Sequence, residues 1–485
     1  MRTRICLYIL LLAPLAVYWQ TVFQDYGLRN DYTALRESRE EPSKLVRTSA
    51  SRGRPLYGAM LETSFAVTNE VENLQWLRLT SVLLLTLMGL VLWRQLFQSG
   101  WNEIEAAGIG LGVVLLPSAQ VVVGAASAWP QALTLLLALA GFSAIETEIE
   151  RGGMKRIVAL LGGCMIYTAA GLIYQANVLF ALVVVAAVLL VRTGREPLND
   201  RWWTAFHVAA VVVGLGLSHL IISLLYSNGL FQPATEELNA GVVSFLRYPL
   251  PNALSLYALN DDNNVGAIFY WGLLLGVVVT LVLGYRKIAA HEDEMVRRRG
   301  QYAIAALVVV TAAVCVVAAD RIMTYRVLFG LAGIVLVLVV YSLRALIVAK
   351  KMTLAHYAGL VVAAVVIGFV AHHNTFLFLA EPQGAEWEMM RGAVLRADFS
   401  KPVRVHIIMP GDDDRLTDRI YGDEFGSISS NNEAIAKDMF HAAVRTRFPD
   451  KLPKGGKSLV TTSTTEPQAG TYDLLIDMRK LKNFH

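Results

Sequence analysis

The sequence predicts a polytopic α-helical membrane protein with a small α/β domain at its C-terminus. Of its 485 residues, 55% are apolar and only 17% are charged, which is far from the balance of a soluble protein. Apolar runs long enough to cross about 30 Å of hydrocarbon recur until residue 373. Beyond that point charges and turn-forming residues dominate. These observations divide the chain into a membrane domain, residues 1–374, and a C-terminal domain, residues 375–485.

Eleven apolar runs are predicted to span the membrane. They are residues 5–23, 77–97, 104–123, 130–146, 157–174, 176–192, 204–226, 265–284, 302–319, 327–347 and 355–373. The connections at Trp129-Pro130 and at Gln175 are so short that they indicate antiparallel hairpins or partly re-entrant segments. The first run is predicted to be an uncleaved span, because no small-residue cleavage site follows it.

The distribution of basic residues predicts the orientation. A cytoplasmic N-terminus gathers most Lys and Arg of the short loops on the inner side, including Arg151, Arg195 and Arg297–Arg299. The first loop, residues 24–76, then lies outside. Eleven spans also place the tail, residues 375–485, outside.

The tail is predicted to contain strands and one clear helix. Val403–Ile408 and Leu474–Ile476 are rich in β-branched and aliphatic residues. Ser430–Val444 has a helical apolar stripe, with Asn431 or Asn432 as its N-cap. The Thr461–Thr465 patch is predicted to be a loop. An α/β unit of this size is near the lower limit for an independent core.

Asp31 is the leading candidate for catalysis. It lies in the sequence Arg29-Asn30-Asp31-Tyr32, just beyond the first span. A carboxylate at this depth meets interfacial water, and its neighbours can tune its strength as a base for a hydroxyl proton. A structural alternative is equally open, in which Asp31 is the N-cap of a helix that begins at Tyr32.

Three arginines are candidates for binding an anion. Arg54 lies between Gly53 and Pro55, which fix its backbone, although it is also placed to reach lipid headgroups. Arg321 and Arg326 lie in a short link between spans, where two guanidiniums suit a phosphate. An ion pair between Asp320 and Arg321 is the alternative there.

Gln175 is a polar residue in a tight turn after Tyr174. Its amide is predicted either to bind a sugar hydroxyl or to satisfy the backbone of the turn. His219 is predicted to be a packing histidine. The acidic runs Asp261–Asn264 and Asp412–Asp414 are predicted to be solvated turns rather than cation sites.

The sequence contains no recognisable motif for disulfide bonding, metal binding, nucleotide binding or serine hydrolysis. The three cysteines all lie in apolar runs, namely Cys6, Cys164 and Cys315. We therefore expect buried thiols and not disulfides or metal ligands. We find no phosphate-binding P-loop, dinucleotide fingerprint, nucleophile elbow or zinc-binding histidine pair. No metal site, cofactor or nucleic-acid partner is predicted.

The order of motifs resembles the integral-membrane glycosyltransferases of the GT-C class. The chain is most similar to the O-antigen glucosyltransferase II family of bacterial serotype-converting enzymes. The resemblance rests on Asn30-Asp31-Tyr32, Gly53-Arg54-Pro55-Leu56, Trp76-Leu77-Arg78 and Tyr174-Gln175, followed by a multi-span body and a C-terminal tail. It extends over nearly the whole chain.

The resemblance implies a function at the outer face of a bacterial cytoplasmic membrane. A sugar, glucose by analogy, would pass from a polyprenyl-phosphate donor to a surface glycan with inversion at the anomeric carbon. Asp31 would be the base or would position the acceptor. Many GT-C members have two acids there, but this chain has Asn30, which weakens the case for a bridged cation. The substrate-binding residues would be Asn30, Arg54, Tyr174, Gln175, Arg321 and Arg326.

Partners follow from this chemistry. A cytoplasmic enzyme would load the lipid with sugar, a flippase would turn it outward, and the tail would hold the acceptor glycan. Two alternatives remain open: a polysaccharide polymerase or ligase, and a flippase or transporter of the lipid-linked sugar. A transporter predicts charges deep in the bilayer, whereas most charges here lie at span ends. A third alternative is a membrane-anchored interaction protein in which the spans only tether the tail. Tethering does not require eleven spans.

Overall fold

The computed structural model describes residues 2–192, 199–234, 242–260, 264–290, 293–317, 324–348, 353–399, 403–411, 414, 424–448, 459–468 and 470–483. The predicted Arg321, the Asp261-Asp262-Asn263 run and Asp412-Asp413 lie outside these residues. The described chain is predominantly helical, with one small sheet in the tail.

The helices before the tail are, in order, α1 Arg2–Phe23, α2 Asn30–Glu40, α3 Lys44–Ser51, α4 Pro55–Thr68, α5 Leu74–Gln98, α6 Glu103–Val114, α7 Pro117–Gly124, α8 Trp129–Glu146, α9 Gly153–Val178, α10 Phe180–Val191, α11 Asp200–Ser227, α12 Val242–Arg247, α13 Pro249–Leu254, α14 Asn264–Ala289, α15 Glu294–Val317, α16 Phe329–Val348 and α17 Thr353–Thr375. Proline occupies one of the first two positions of α4, α7 and α8. It is tolerated there because its missing N–H has no partner within the helix.

The protein is a multi-pass membrane protein, but the predicted count of eleven spans is not confirmed. Among the described residues, eight helices are long and apolar enough to cross a membrane. The number becomes nine if α6 and α7, which meet at a 47° bend, form one span. The predicted span 176–192 corresponds to α10, which has only 12 residues. The predicted span 302–319 falls in α15, which is not among the eight.

A buried arginine fixes the start of the first loop to the second span. Arg78 in α5 has no exposed surface. Its guanidinium donates hydrogen bonds to the carbonyl oxygens of Val22, Gln24 and Tyr26, at 3.2, 2.5 and 2.8 Å. The guanidinium thereby satisfies one carbonyl in the last turn of α1 and two in the loop just beyond it. Arg78 thus determines how the first loop leaves the bundle.

The tail contains a three-stranded parallel sheet and two helices. Its elements are α18 Glu381–Arg396, β1 Arg404–Ile408, α19 Glu433–Arg447, β2 Leu459–Ser463 and β3 Leu474–Asp477. The strand order is β2-β1-β3. The predicted strands at 403–408 and 474–476 are confirmed by β1 and β3. Of the two predicted caps, Asn431 and Asn432, the structure has Asn432, whose side chain accepts from Ala434 N and Ile435 N.

The prediction of a loop at 461–465 was wrong for residues 461–463, which form part of a strand. Thr461 to Ser463 belong to β2 and pair with His406 to Ile408 of β1. Threonine has a high strand propensity, and its hydroxyl is accommodated here because Thr461 Oγ1 lies 2.8 Å from the His406 ring.

The first loop and the tail share one hydrophobic core. Tyr32, Leu35 and Phe65 of the loop belong to the same buried cluster as Trp387 and Met439 of the tail. The tail therefore lies at the end of the bundle where α1 enters the first loop. An odd number of crossings must separate Arg2 from the tail, a condition that eight crossings do not meet and that nine or eleven do.

Candidate functional site

Asp31 anchors the first loop to the helix bundle. It lies in the first turn of α2, which begins at Asn30, so the predicted N-cap role before Tyr32 is wrong. Asp31 Oδ2 accepts hydrogen bonds from Leu28 N at 2.9 Å and Ala126 N at 3.0 Å, and Oδ1 accepts from Ser127 N at 2.9 Å. The carboxylate thus joins the loop to the residues that precede α8.

The Asp31 carboxylate is wholly buried, which corrects the expectation that it meets interfacial water. Burial raises its pKa, and hydrogen bonds from Leu28, from the Ser127 hydroxyl and N–H and from Ala126 limit the rise. Ser127 is itself partly exposed. A partly exposed residue thus lies directly against the buried carboxylate.

Arg54 and Tyr174 form a second part of the site. The Arg54 guanidinium carbon lies 4.4 Å from the centre of the Tyr174 ring, a cation–π geometry. Gln175 Nε2 donates a hydrogen bond to Gly53 O at 2.5 Å. Gln175 thus satisfies backbone in the first loop, and not in its own turn as one alternative held. Tyr174 has non-helical backbone angles and kinks α9.

Tyr57 connects these two parts, and sequence reasoning missed it. Its hydroxyl donates to Ser127 O at 2.9 Å, and its ring centre lies 6.5 Å from that of Tyr174. Burial raises the pKa of the Tyr57 phenol, while the charges of Arg326 and Arg54 oppose the rise. Both positive charges therefore act on this phenol.

Arg326, whose charge also acts on the Tyr57 phenol, is held by the tail. It lies in a single 3₁₀ turn, Tyr325–Val327, ahead of α16. Arg326 Nε is 3.3 Å from Glu424 Oε1 and 3.2 Å from Thr324 Oγ1. Glu424 is only 4% exposed. No local pattern in the sequence marks Glu424, because only the fold brings the tail to this turn.

Other predicted residues lie elsewhere or make only local contacts. Asn30 is exposed at the first position of α2. His219 is exposed on α11, so the prediction of a packing histidine was wrong. Asp414 accepts a hydrogen bond from Gly411 N, as expected of a turn. Within the described residues, no three or more His, Cys, Asp or Glu side chains are grouped so that they could hold a metal ion.

A groove of about 880 Å³ runs beside the site, between α4 and the start of α5. Its walls are mainly apolar and aromatic, with Trp76 and Trp129 among them. Trp129 Nε1 donates to Ser64 Oγ at 3.2 Å. Tryptophan is typical of the boundary between hydrocarbon and headgroups, and Trp76 and Trp129 suit a position at that boundary.

Comparison with known proteins gives little further information. No protein family and no curated protein sequence matches this chain. The backbone was matched to the crystal structure of an oligosaccharyltransferase from Archaeoglobus fulgidus in complex with zinc and sulfate, with a TM-score of 0.43 and 11% sequence identity. The alignment covers 83% of this chain and 60% of that chain. Similarity at this level does not establish a shared fold or activity.

Proposed function

We propose that this chain is a GT-C glycosyltransferase of a bacterial cytoplasmic membrane, with the first loop and the tail on the outer face. It transfers a sugar, glucose by resemblance, from a polyprenyl phosphate to a surface glycan. The observation that carries the proposal is the Arg54 guanidinium, 4.4 Å from the centre of the Tyr174 ring, which in turn lies 6.5 Å from the Tyr57 ring. The charges of Arg326 and Arg54 also act to lower the pKa of the Tyr57 phenol. Two guanidiniums and two aromatic rings suit a phosphate joined to a sugar.

The groove supports a lipid-linked donor. Leu56, at the start of α4 and two residues after Arg54, is among its lining residues. A polyprenyl chain in the groove can therefore present its phosphate to Arg54 without leaving the membrane. The bond to phosphate supplies the free energy of transfer, so the protein needs no nucleotide site.

The proposed reaction is a single displacement at the anomeric carbon. The acceptor oxygen forms a bond to that carbon while the bond from carbon to the phosphate oxygen breaks, and the configuration inverts. Asp31 takes the acceptor proton, and the acceptor hydroxyl occupies the position of the Ser127 hydroxyl. Arg54 and Arg326 stabilise the negative charge that develops on the leaving phosphate.

The proposal is tested by transfer from polyprenyl-phosphate glucose in proteoliposomes, with the glycan product measured by mass spectrometry. We expect Arg54→Ala and Arg326→Ala each to lower kcat/KM by about 100-fold, since each removes one charged contact to the leaving group. Arg47→Ala, which alters an exposed arginine of α3, is the matched control. Transfer that is unchanged in both site variants would contradict the proposal.

A further inference from the structure

Two buried amides lie next to the proposed site. Gln131, in the first turn of α8, is 1% exposed, and Asn177, near the end of α9, is wholly buried. Asn177 Nδ2 donates to the main-chain oxygen of Gln131 at 3.1 Å. Gln131 follows Ser127, whose main-chain oxygen accepts from the Tyr57 hydroxyl, by four residues, and Asn177 follows Tyr174 by three residues. The pair therefore joins the segment that follows Ser127 to the end of the helix that carries Tyr174.

Each amide has an oxygen without a partner among the described residues. These atoms are Gln131 Oε1 and Asn177 Oδ1. The identity of Asn177 Oδ1 is settled by the hydrogen bond that its Nδ2 makes. A buried acceptor without a donor costs about 1–3 kcal/mol, so two adjacent ones demand an explanation.

A second amide pair in the same bundle shows the usual arrangement. Gln120 Oε1 accepts from Asn374 Nδ2 at 3.2 Å, and Gln120 Nε2 donates to Leu115 O at 2.8 Å. Both residues are buried. Side chains of this bundle can therefore satisfy a buried amide pair without a ligand. Gln131 and Asn177 differ from this pair because both of their amide oxygens are open; outside the site, Gln95 Oε1 of α5 is a further buried amide oxygen without a partner among the described residues.

We propose that Gln131 Oε1 and Asn177 Oδ1 accept hydrogen bonds from hydroxyl groups of the donor sugar. Hydroxyls are donors, and the sugar must lie beside the phosphate bound by Arg54. Amides suit this task because they remain neutral, and so do not compete with the phosphate for the guanidiniums. The two residues thus determine which sugar is accepted. The inference rests on the proposed glycosyltransferase function.

The experiment compares polyprenyl-phosphate glucose with its 2-, 3-, 4- and 6-deoxy analogues in proteoliposomes. We expect the wild-type protein to prefer glucose over at least one analogue by about tenfold or more in kcat/KM, because that analogue leaves a buried acceptor unfilled. Asn177→Leu and Gln131→Met should bring this ratio close to one. A merely structural role would lower transfer of all five donors alike.

Two further variants keep the test decisive. Asn177→Ser replaces Asn177→Leu if the latter is not monodisperse in detergent. Asn374→Leu alters the satisfied amide pair and should leave the preference among donors unchanged. Preference that persists in the Gln131 and Asn177 variants of a working enzyme would overturn this inference alone. Absence of transfer from every donor by the wild-type protein would instead overturn the proposed function on which it rests.

Discussion

At the scale of single residues, the structural role of Asp31 depends on hydrogen-bond partners that are distant in the sequence. The sequence singles it out by its place in Arg29-Asn30-Asp31-Tyr32 soon after the first span, but two of its hydrogen bonds come from Ala126 and Ser127, nearly a hundred residues later. Such partners lie outside any local pattern. The carboxylate is at once an anchor of the first loop and, in our proposal, the base.

Asp31→Ala should therefore destabilise the protein as well as abolish transfer. The change leaves the N–H groups of Leu28, Ala126 and Ser127 buried without an acceptor, at a cost of about 3 kcal/mol or more. We expect faster proteolysis within residues 24–76 and a lower Tm. Asn30→Ala, at the exposed neighbouring position, should change neither the rate of proteolysis nor the Tm. A Tm equal to that of the wild-type protein would show that Asp31 is no anchor.

Ser127→Ala distinguishes the base from the anchor. This variant removes the hydroxyl that occupies the proposed acceptor position, and it keeps the N–H bond to Asp31 Oδ1. We expect transfer to persist with an acceptor KM about two- to fivefold lower, since a competing hydroxyl worth about 0.5–1 kcal/mol is gone. Steady-state kinetics with varied acceptor measures this. A loss of kcat would place the acceptor elsewhere.

At the scale of elements, the contact between α2 and α19 fastens the tail to the first loop. Asp438 of α19 lies 2.6 Å from Arg36 Nε and accepts from Thr33 Oγ1 at 2.7 Å. Its side chain is 7% exposed, so the pair is shielded from water. Each helix is amphipathic by its own sequence, but the sequence does not reveal that the two are partners.

Asp438→Ala should loosen this contact. Removing one partner of a shielded ion pair leaves Arg36 less well satisfied, and we expect a loss of about 1–3 kcal/mol in unfolding free energy. Lys437→Ala is the control, because the Lys437–Glu433 pair is mostly exposed and contributes little. Thermal unfolding in detergent compares the two. Equal Tm values for both variants would contradict the role of Asp438.

The edge of the tail sheet should respond to acid. Arg404 of β1 donates its N–H and its guanidinium to Asp473, and these bonds lower the pKa of Asp473 to about 2. Because the folded-state pKa is lowered, the stabilisation is present at neutral pH and is lost as pH falls towards 2. Hydrogen exchange of β3 measured between pH 5 and pH 2 should therefore change less in Asp473→Asn than in the wild-type protein.

At the scale of the whole molecule, the shared core makes the tail part of the membrane body. Phe425 of the tail is buried in the same cluster as the transmembrane helices, and Gly426 N donates to Phe378 O at 2.6 Å. Deleting the tail would expose this core, so loss of activity on deletion would not show that the tail binds the acceptor. Whether the tail holds the acceptor remains a prediction.

The topology can be tested by labelling single cysteines in a background without Cys6, Cys164 and Cys315. An impermeant thiol reagent should reach Thr48→Cys in the first loop and Thr464→Cys in the tail from the same side of sealed vesicles. Met154→Cys, which is exposed near the start of α9, should react only from the other side. Opposite-side labelling of the first two positions would contradict the shared core.

The sequence by itself determined the membrane class, most helix positions, strands at 403–408 and 474–476 and a cap at Asn431 or Asn432, because hydropathy, propensity and capping act over a few residues. It also pointed to Arg54, Arg326 and Asp31. Only the tertiary structure decided the breaks in the spans, the strand at 459–463, and the joining of Tyr57, Gln131, Asn177 and Glu424 to those three. Burial and hydrogen bonding are satisfied between segments that are distant in the chain, and that pairing leaves no mark on either segment alone.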